Sequence, residues 1–377
     1  MAFPTGWGRR CALVIQSSKV DANLADFPIL LTKDTLPSEM FDHDGSYPAL
    51  EGGGDVRFSL DEAGNTQLAC EVVSFSLDNA DNEAEIWVKV PSVSSSTDTT
   101  IYVWYNKAGE TQPAADSTYG SENVWDNNFK MVQHMNDAST LSITDSTSND
   151  NDGTKRGENE PIETTGKIGK GQDFDGNDDC INIGDTSDVD FGLGNWSLSA
   201  LVYPTLLSSN ANIIIGKDDK SLGQQFFLQS RESGKIRVRY YTSTGNVSRT
   251  TDNIVLSANT WQYIVGQRNG DMLEIYLDGT KITVSTETGT HGEMNSIYSL
   301  LQIGKRTYSG AEDFFSGIID EVRISSIARS ADWIKASYNN QNSPSTFVIE
   351  GTPVTPGGVA PTSVFYGPIV GPFGGPI

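Results

Sequence analysis

Two turn signatures set between alternating strands constrain this chain more than any other feature. Trp261-Gln262-Tyr263-Ile264-Val265-Gly266-Gln267-Arg268 runs into Asn269-Gly270, and Leu273-Glu274-Ile275-Tyr276-Leu277 runs into Asp278-Gly279. Asn-Gly and Asp-Gly are strong hairpin signals because both central residues of a type I′ turn need positive φ. Residues 261–286 are therefore predicted to form a three-stranded meander. The same period-two alternation recurs at residues 55–60, 85–90, 100–105, 196–204 and 235–240, as expected of strands with one face inward. Residues 12–15 and 27–31 are unbroken apolar runs between polar turns, which fits fully buried strands. Helical signals concentrate in one place, where Ser330 is a suitable N-cap and Asp332 falls in the first turn of a helix running to Tyr338. That helix is expected to lie across the sandwich, with Trp333 and Ile334 inward.

Composition narrows the functional classes. Across 377 residues the formal net charge is −23 and the pI about 4.4, so the average surface repels phosphate backbones and anionic lipids, and nucleic acid is excluded as a partner. Clustered carboxylates instead favour a hard cation such as Ca²⁺. The three cysteines, Cys11, Cys70 and Cys180, are too few and too odd for a disulfide framework, although a Cys11–Cys70 bridge stays open. His43, His134 and His291 are widely separated and match no zinc spacing or Ser/His/Asp triad. Neither a signal peptide nor a membrane span is visible in the sequence.

Trp7-x-x-Arg10, Asp26-Phe27-Pro28, Gly54-Asp55-Val56-Arg57-Phe58, Glu85-Ile86-Trp87-Val88-Lys89-Val90-Pro91 and Ile101-Tyr102-Val103-Trp104-Tyr105-Asn106 follow one another in an order that resembles the DUF2341 family. That resemblance implies a β-rich domain of undefined activity, commonly found beside lectin-like modules in surface proteins. A second set is similar to the laminin-G-like, concanavalin-A-like superfamily: residues 145–153, Phe174-Asp175-Gly176-Asn177-Asp178-Asp179-Cys180-Ile181, residues 197–204 and 261–279, and Phe315 through Ile324. The resemblance implies a jelly-roll sandwich of two curved antiparallel sheets. The expected architecture is all-β, with two tandem β-sandwiches and one short C-terminal helix. Residues 1–110 are assigned to the first sandwich, 111–128 to a linker or docking segment, 129–352 to the second sandwich and 353–377 to a Gly/Pro-rich tail.

The residues that could carry chemistry fall into two groups. Asp145, Asn149 and Asp152 in a polar loop, with Asp320 on a late strand, are the expected ligands of a structural Ca²⁺, which takes several oxygens from carboxylates and amides. In the resembled family these motif positions surround a cation that pins the first strand to the last. The competing reading is that Asp/Asn-rich loops cap their own backbone. Asp178 and Asp179 form a lesser metal candidate. Tyr240, Tyr241, Tyr298 and Tyr308 are the expected stacking residues for a glycan, since sugar sites use exposed aromatic platforms. Retaining glycan hydrolysis needs two carboxylates about 5–5.5 Å apart; Glu83 with Glu85 and Glu274 with Asp278 have suitable spacing but lie where outward-facing acids are expected. The sequence thus points to a non-catalytic surface protein that decorates a virion or other particle, its tail docking on other protein subunits and its lectin-like module contacting glycans. An extracellular carbohydrate-binding adhesin is the alternative, and a glycan hydrolase stands third.

Overall fold

The computed structural model describes residues 3–77, 82–137, 141–156, 160–207, 212–219, 223–284, 287–295, 298–308 and 311–357. The tail expected to dock on a partner falls, from residue 358 on, outside the described residues. The first sandwich contains β1 (Arg9–Ile15), β2 (Leu24–Thr32), β3 (Arg57–Ser59), β4 (Gln67–Leu68), β5 (Cys70–Ser76), β6 (Glu83–Val93) and β7 (Thr99–Tyr105). The second begins with β8 (Phe129–Gln133), β9 (Ser142–Ile143), β10 (Gly153–Arg156), β11 (Ile162–Thr165), β12 (Lys170–Asp175) and β13 (Cys180–Gly184). It continues through β14 (Trp196–Pro204), β15 (Asn212–Asp219), β16 (Gly223–Arg231), β17 (Lys235–Thr242), β18 (Gly245–Thr250) and β19 (Gln262–Arg268). Then come β20 (Leu273–Leu277), β21 (Thr280–Lys281), β22 (Leu301–Ile303), β23 (Lys305–Tyr308), β24 (Ala311–Phe314) and β25 (Ser316–Ser325). Helices α1 (Ala331–Asn342) and α2 (Pro344–Phe347) and strand β26 (Val348–Glu350) follow.

Four sheets stack as four layers. A five-stranded sheet, β26-β1-β7-β3-β4, faces the three-stranded sheet β2-β6-β5 across a core that includes Leu13, Phe27, Ile29, Phe58, Val88 and Val103. In the second sandwich, the eight-stranded sheet built around β12-β25-β14-β19-β20 faces a ten-stranded sheet across a core that includes Trp196, Leu198, Phe226, Leu228 and Ile264. The two middle layers then meet through their outer faces: Leu30 and Trp87 from the first sandwich pack with Leu201, Tyr263, Val265 and Tyr276 from the second. This explains the unbroken apolar run at residues 29–31. Ile29 and Leu31 point into the first core while Leu30 points into the seam, so both faces of β2 are buried.

The meander forms as expected, with β19, β20 and β21 paired in sequence. Its second turn has Asp278 at φ 49 and Gly279 at φ 73, as a type I′ turn requires. At the first turn, of the two residues only Gly270 has positive φ, and Asn269 N–H reaches over to the Met272 carbonyl, so a longer loop joins β19 to β20.

Two sequence expectations are corrected. The expected second sandwich extends to residue 352, yet β26 pairs with β1, and Ala336, Phe347 and Val348 join the first core. The chain returns to its starting domain because β1 has an open edge whose backbone groups need partners. Accordingly α1 does not lie across the second sandwich alone. It is wedged at the junction, with Ile334 in the seam and Trp333 touching both the seam and the first core. Its Ser330 cap is as expected, the side chain accepting the Trp333 N–H. Cys11, Cys70 and Cys180 form no disulfide among the described residues; Cys11 donates to the Gly351 carbonyl and Cys70 to Gln112. No helix of the described residues is long and apolar enough to cross a membrane.

Candidate functional site

The loop expected to hold calcium is a self-capped turn. The Asp145 carboxylate accepts backbone N–H groups from Val132 at 2.8 Å, Thr147 at 3.0 Å and Asn151 at 3.0 Å, and the Thr147 hydroxyl at 2.9 Å. Burial pushes Asp145 up to about 6, against the opposing pull of those donors. Asp152 accepts the Asp145 N–H at 2.8 Å, and the Asn149 amide donates to the Phe129 carbonyl and the Thr147 hydroxyl. Asp320 is not part of this set. It is fully buried and accepts the N–H groups of Lys167 and Ile168, each at 2.9 Å. The expected quartet is therefore divided: Asp145, Asn149 and Asp152 share one loop, while Asp320 faces another segment. The loop oxygens already hold backbone donors, which is how Asx turns work, so these residues do not make a ready cage for an ion needing 6–8 oxygens.

Two other groups bring three candidate ligand atoms within 4.8 Å among the described residues: Asp175, Asp178 and Asp179, and Glu85, His134 and Glu321. The first is the turn between β12 and β13. There Asp175 accepts N–H groups from Asn177 and Asp178, and Asp179 accepts that of Asp175.

The second group belongs to a buried charged seam between the sandwiches. His134, just after β8, is 4% exposed and lies 2.5 Å from Glu321 and 3.3 Å from Glu85 through Nδ1, and 3.4 Å from Glu71 through Nε2. With carboxylates at both ring nitrogens the imidazole acts as a double donor. Burial opposes its charge, but Glu321 and Glu71 outweigh this and hold its pKa well above the ordinary value. Glu321 also binds the Arg323 guanidinium; burial works to raise its pKa, yet His134 and Arg323 bring it down to about 2. Glu85 goes the other way, pushed up to about 8 chiefly by burial and further by Glu321. Asp320 is likewise raised well above the carboxylate range by burial and by Glu321. Arg323 stacks over Trp87 at 4.3 Å and Trp125 at 4.9 Å, and these indoles donate to Glu85 and Glu71. Because Arg323 already neutralises Glu321, this is a proton-holding network rather than an open metal centre.

A β-bulge builds the seam. Along β14, Ser199 pairs with Arg323 and Leu201 with Asp320, so Glu321 and Val322 together oppose Ala200, and Glu321 has φ 52. Strict alternation would turn Glu321 toward the core beside Ile319. The extra residue resets the phase, so Ile319, Val322 and Ile324 stay in the core while Asp320, Glu321 and Arg323 face outward. Asp320 and the Glu83/Glu85 spacing stand out in the sequence, whereas Glu71, His134, Glu321 and Arg323 are not among the expected site residues. The adjacent acids Asp320-Glu321 inside an apolar strand are the signal that could have exposed them.

The expected tyrosines separate by face. Tyr240 points inward, fully buried, and its hydroxyl meets His291 at 2.8 Å. It is a core residue rather than a ligand platform, since neighbours along a strand face opposite ways. Tyr241 faces out beside Phe227, with Arg239 over both rings. Its hydroxyl accepts from Gln224, which also donates to Asp218. Tyr298 is 57% exposed and comes to the same end of the sheet, because Asn295 bonds to the carbonyls of Tyr241 and Gln224 and Ser299 to that of Gly223. Tyr308 ends β23, and its side chain lies outside the described residues. Of the acids considered for hydrolysis, Glu274 is held by Gln267, Tyr276 and Lys281, and Glu85 is sealed in the seam.

Comparison with known proteins gives the same two-part organisation. Residues 52–149 match the domain of unknown function DUF2341, and residues 175–335 match the concanavalin A-like lectin/glucanases superfamily. No curated protein matches the chain. Among solved structures it is similar to the binding domain of Paraclostridial Mosquitocidal Protein 1, at 15% identity and a TM-score of 0.44, covering 56% of this chain and 52% of that one. Domain 4 of AbnA, a GH43 extracellular arabinanase from Geobacillus stearothermophilus, in complex with arabinotriose, is similar at 18% identity and a TM-score of 0.43, over 55% of this chain and 97% of that one. The botulinum neurotoxin serotype D ligand binding domain in complex with N-acetylneuraminic acid is similar at 13% identity and a TM-score of 0.43, over 59% and 53%. The chain thus spans about half the length of the two toxin domains, and the likeness is one of fold alone.

Proposed function

We propose that this chain, a DUF2341 domain followed by a concanavalin A-like lectin module, is a non-catalytic attachment protein of a virion or extracellular surface whose second sandwich contacts glycans. The observation that carries this reading is the sheet end where Tyr298 is 57% exposed and its neighbours in sequence, Asn295 and Ser299, bond to the backbone of Tyr241, Gln224 and Gly223. The open Tyr298 ring offers a stacking face to a sugar, and the part-exposed Arg239 and Gln224 supply hydroxyl partners. Binding is favoured over cleavage because Glu274 and Glu85 are tied into internal hydrogen bonds rather than paired across an open cleft. The Gly/Pro-rich residues 353–377 serve as the tether to another subunit.

A glycan array probed with the full chain tests this reading. Reproducible hits are expected, weakened up to about tenfold by Tyr298→Ala, in line with a stacking contribution of roughly 0.5–1.5 kcal/mol. An array without hits, or hits indifferent to Tyr298→Ala and Tyr241→Ala, would refute it. Release of reducing ends from mixed polysaccharides would replace it with hydrolysis.

A further inference from the structure

We infer that the cleft between the two sandwiches, beside the end of α1, is a second binding site, for an uncharged polyhydroxylated molecule of monosaccharide size. The cleft has a volume of about 340 Å³ and is lined by both sandwiches and by α1, through residues that include Leu30, Asn82, Ile168 and Gln341. Gln341 is 2% exposed, and both its amide oxygen and its amide nitrogen lack a hydrogen-bond partner among the described residues. The Asn82 oxygen is buried and equally without a partner, while its nitrogen donates to the Phe41 carbonyl.

Buried polar groups are almost always paired, and a side-chain amide kept unpaired at the wall of a cleft is a donor and acceptor in waiting. Its position is fixed from behind: the preceding Asn340 exchanges two hydrogen bonds with the backbone of Leu30, at 2.7 and 3.1 Å. The site is therefore preorganised, which lowers the entropic cost of binding.

Charge and shape select the ligand. Lys33 and Lys167 are offset in the lining by Asp34 and Glu83, with Lys33 and Asp34 paired at 2.7 Å, so the cleft presents no net charge to attract an ion. Leu30, Ala84 and Ile168 give an apolar wall suited to the C–H face of a sugar ring, and the unpaired amide atoms of Gln341 and Asn82 are the polar groups in the lining left to pair with its hydroxyls. The volume falls near the lower end of small-ligand sites, roughly 300–1,000 Å³. This site is separate from the sheet end bearing Tyr298 and does not depend on it.

The test is saturation-transfer NMR on the full chain with galactose, glucose, arabinose and N-acetylglucosamine as probes. At least one sugar is expected to give a signal whose affinity falls about five- to tenfold in both Gln341→Leu and Asn82→Ala, and is kept in Tyr298→Ala. Gln341→Leu is also expected to raise the melting midpoint of the sugar-free protein, because it removes an unpaired buried amide. No signal from any of the four sugars, a signal indifferent to both cleft variants, or one lost only in Tyr298→Ala would overturn the proposal. A lowered midpoint in Gln341→Leu with sugar binding intact in Asn82→Ala would overturn it too, marking the amide as structural. Failure of the sheet-end reading would show instead as loss of array hits with the cleft signal preserved.

Discussion

The two sandwich cores and the seam between them are alike buried, yet they are built on opposite chemistry. Each core is a continuous body of aliphatic and aromatic side chains, where stability follows from area removed from water, roughly 25 cal/mol per Å². The seam shares that aromatic content through Trp87, Trp125 and Phe129 but encloses His134, Glu71, Glu85, Glu321 and Arg323. The cores tolerate any well-shaped apolar filling, whereas the seam is stable only as a complete set of partners. A buried ion pair adds little over an apolar substitute, but removing one member leaves a charge with no compensation.

The sharpest way to break this contrast is to delete one seam anion. Glu321→Leu takes the carboxylate partner from Arg323 and one of three from His134, and should cost about 3–5 kcal/mol of unfolding free energy in denaturant titration. Combining it with His134→Leu and Arg323→Met should restore much of that loss. If the single substitution costs under about 1 kcal/mol, the seam is no different from an exposed ion pair.

The pH dependence comes next. Glu85 holds its proton to about pH 8 in the folded protein against an ordinary value of 4.5, so folding takes up a proton between those values and stability falls as pH rises through that window. His134, raised above 6.5, adds a loss in the same direction above 6.5. Glu321 acts oppositely: its stabilisation is present above 4.5 and lost as pH falls toward about 2. Each group contributes at most about 1.4 kcal/mol per pH unit. Equilibrium unfolding measured from pH 5 to 8 should show the decline, and Glu85→Gln should flatten it. A stability that rises across that range in the wild type would contradict the seam assignment.

A core substitution sharpens the comparison from the other side. Ile264→Val trims a fully buried side chain in the second core, and should cost about 0.5–1.5 kcal/mol with the slope against pH unchanged. The smallest effect is expected from cation removal. Because Asp145 is satisfied by backbone donors, EGTA should leave the melting midpoint where it is, and a drop would mean that the loop reopens around an ion.

Much of the fold was legible because it is written in local periodicity. The apolar alternation of β14 and β19 and the Asp278-Gly279 turn specify strand, phase and reversal within a few residues. The Ser330 cap was legible for the same reason. The calcium expectation rested on composition, which acidic loops and cation cages share, and only the coordinates show that Asp145 accepts hydrogen bonds from Val132, Thr147 and Asn151. Of the tyrosines, alternation alone could have separated inward Tyr240 from outward Tyr241, but not the exposure of Tyr298, which depends on how Asn295 and Ser299 bond to β16 and β17.

By itself the sequence determined an all-β chain of two modules, their order, and which face of most strands is apolar, since each of these is an energy summed over neighbours. Tertiary structure alone decided that β26 closes the first sandwich, that Glu321 leaves the core by a bulge, and that His134 meets a carboxylate 187 residues away. Those outcomes depend on register and on the docking of distant surfaces, where one inserted residue reverses the direction of a side chain.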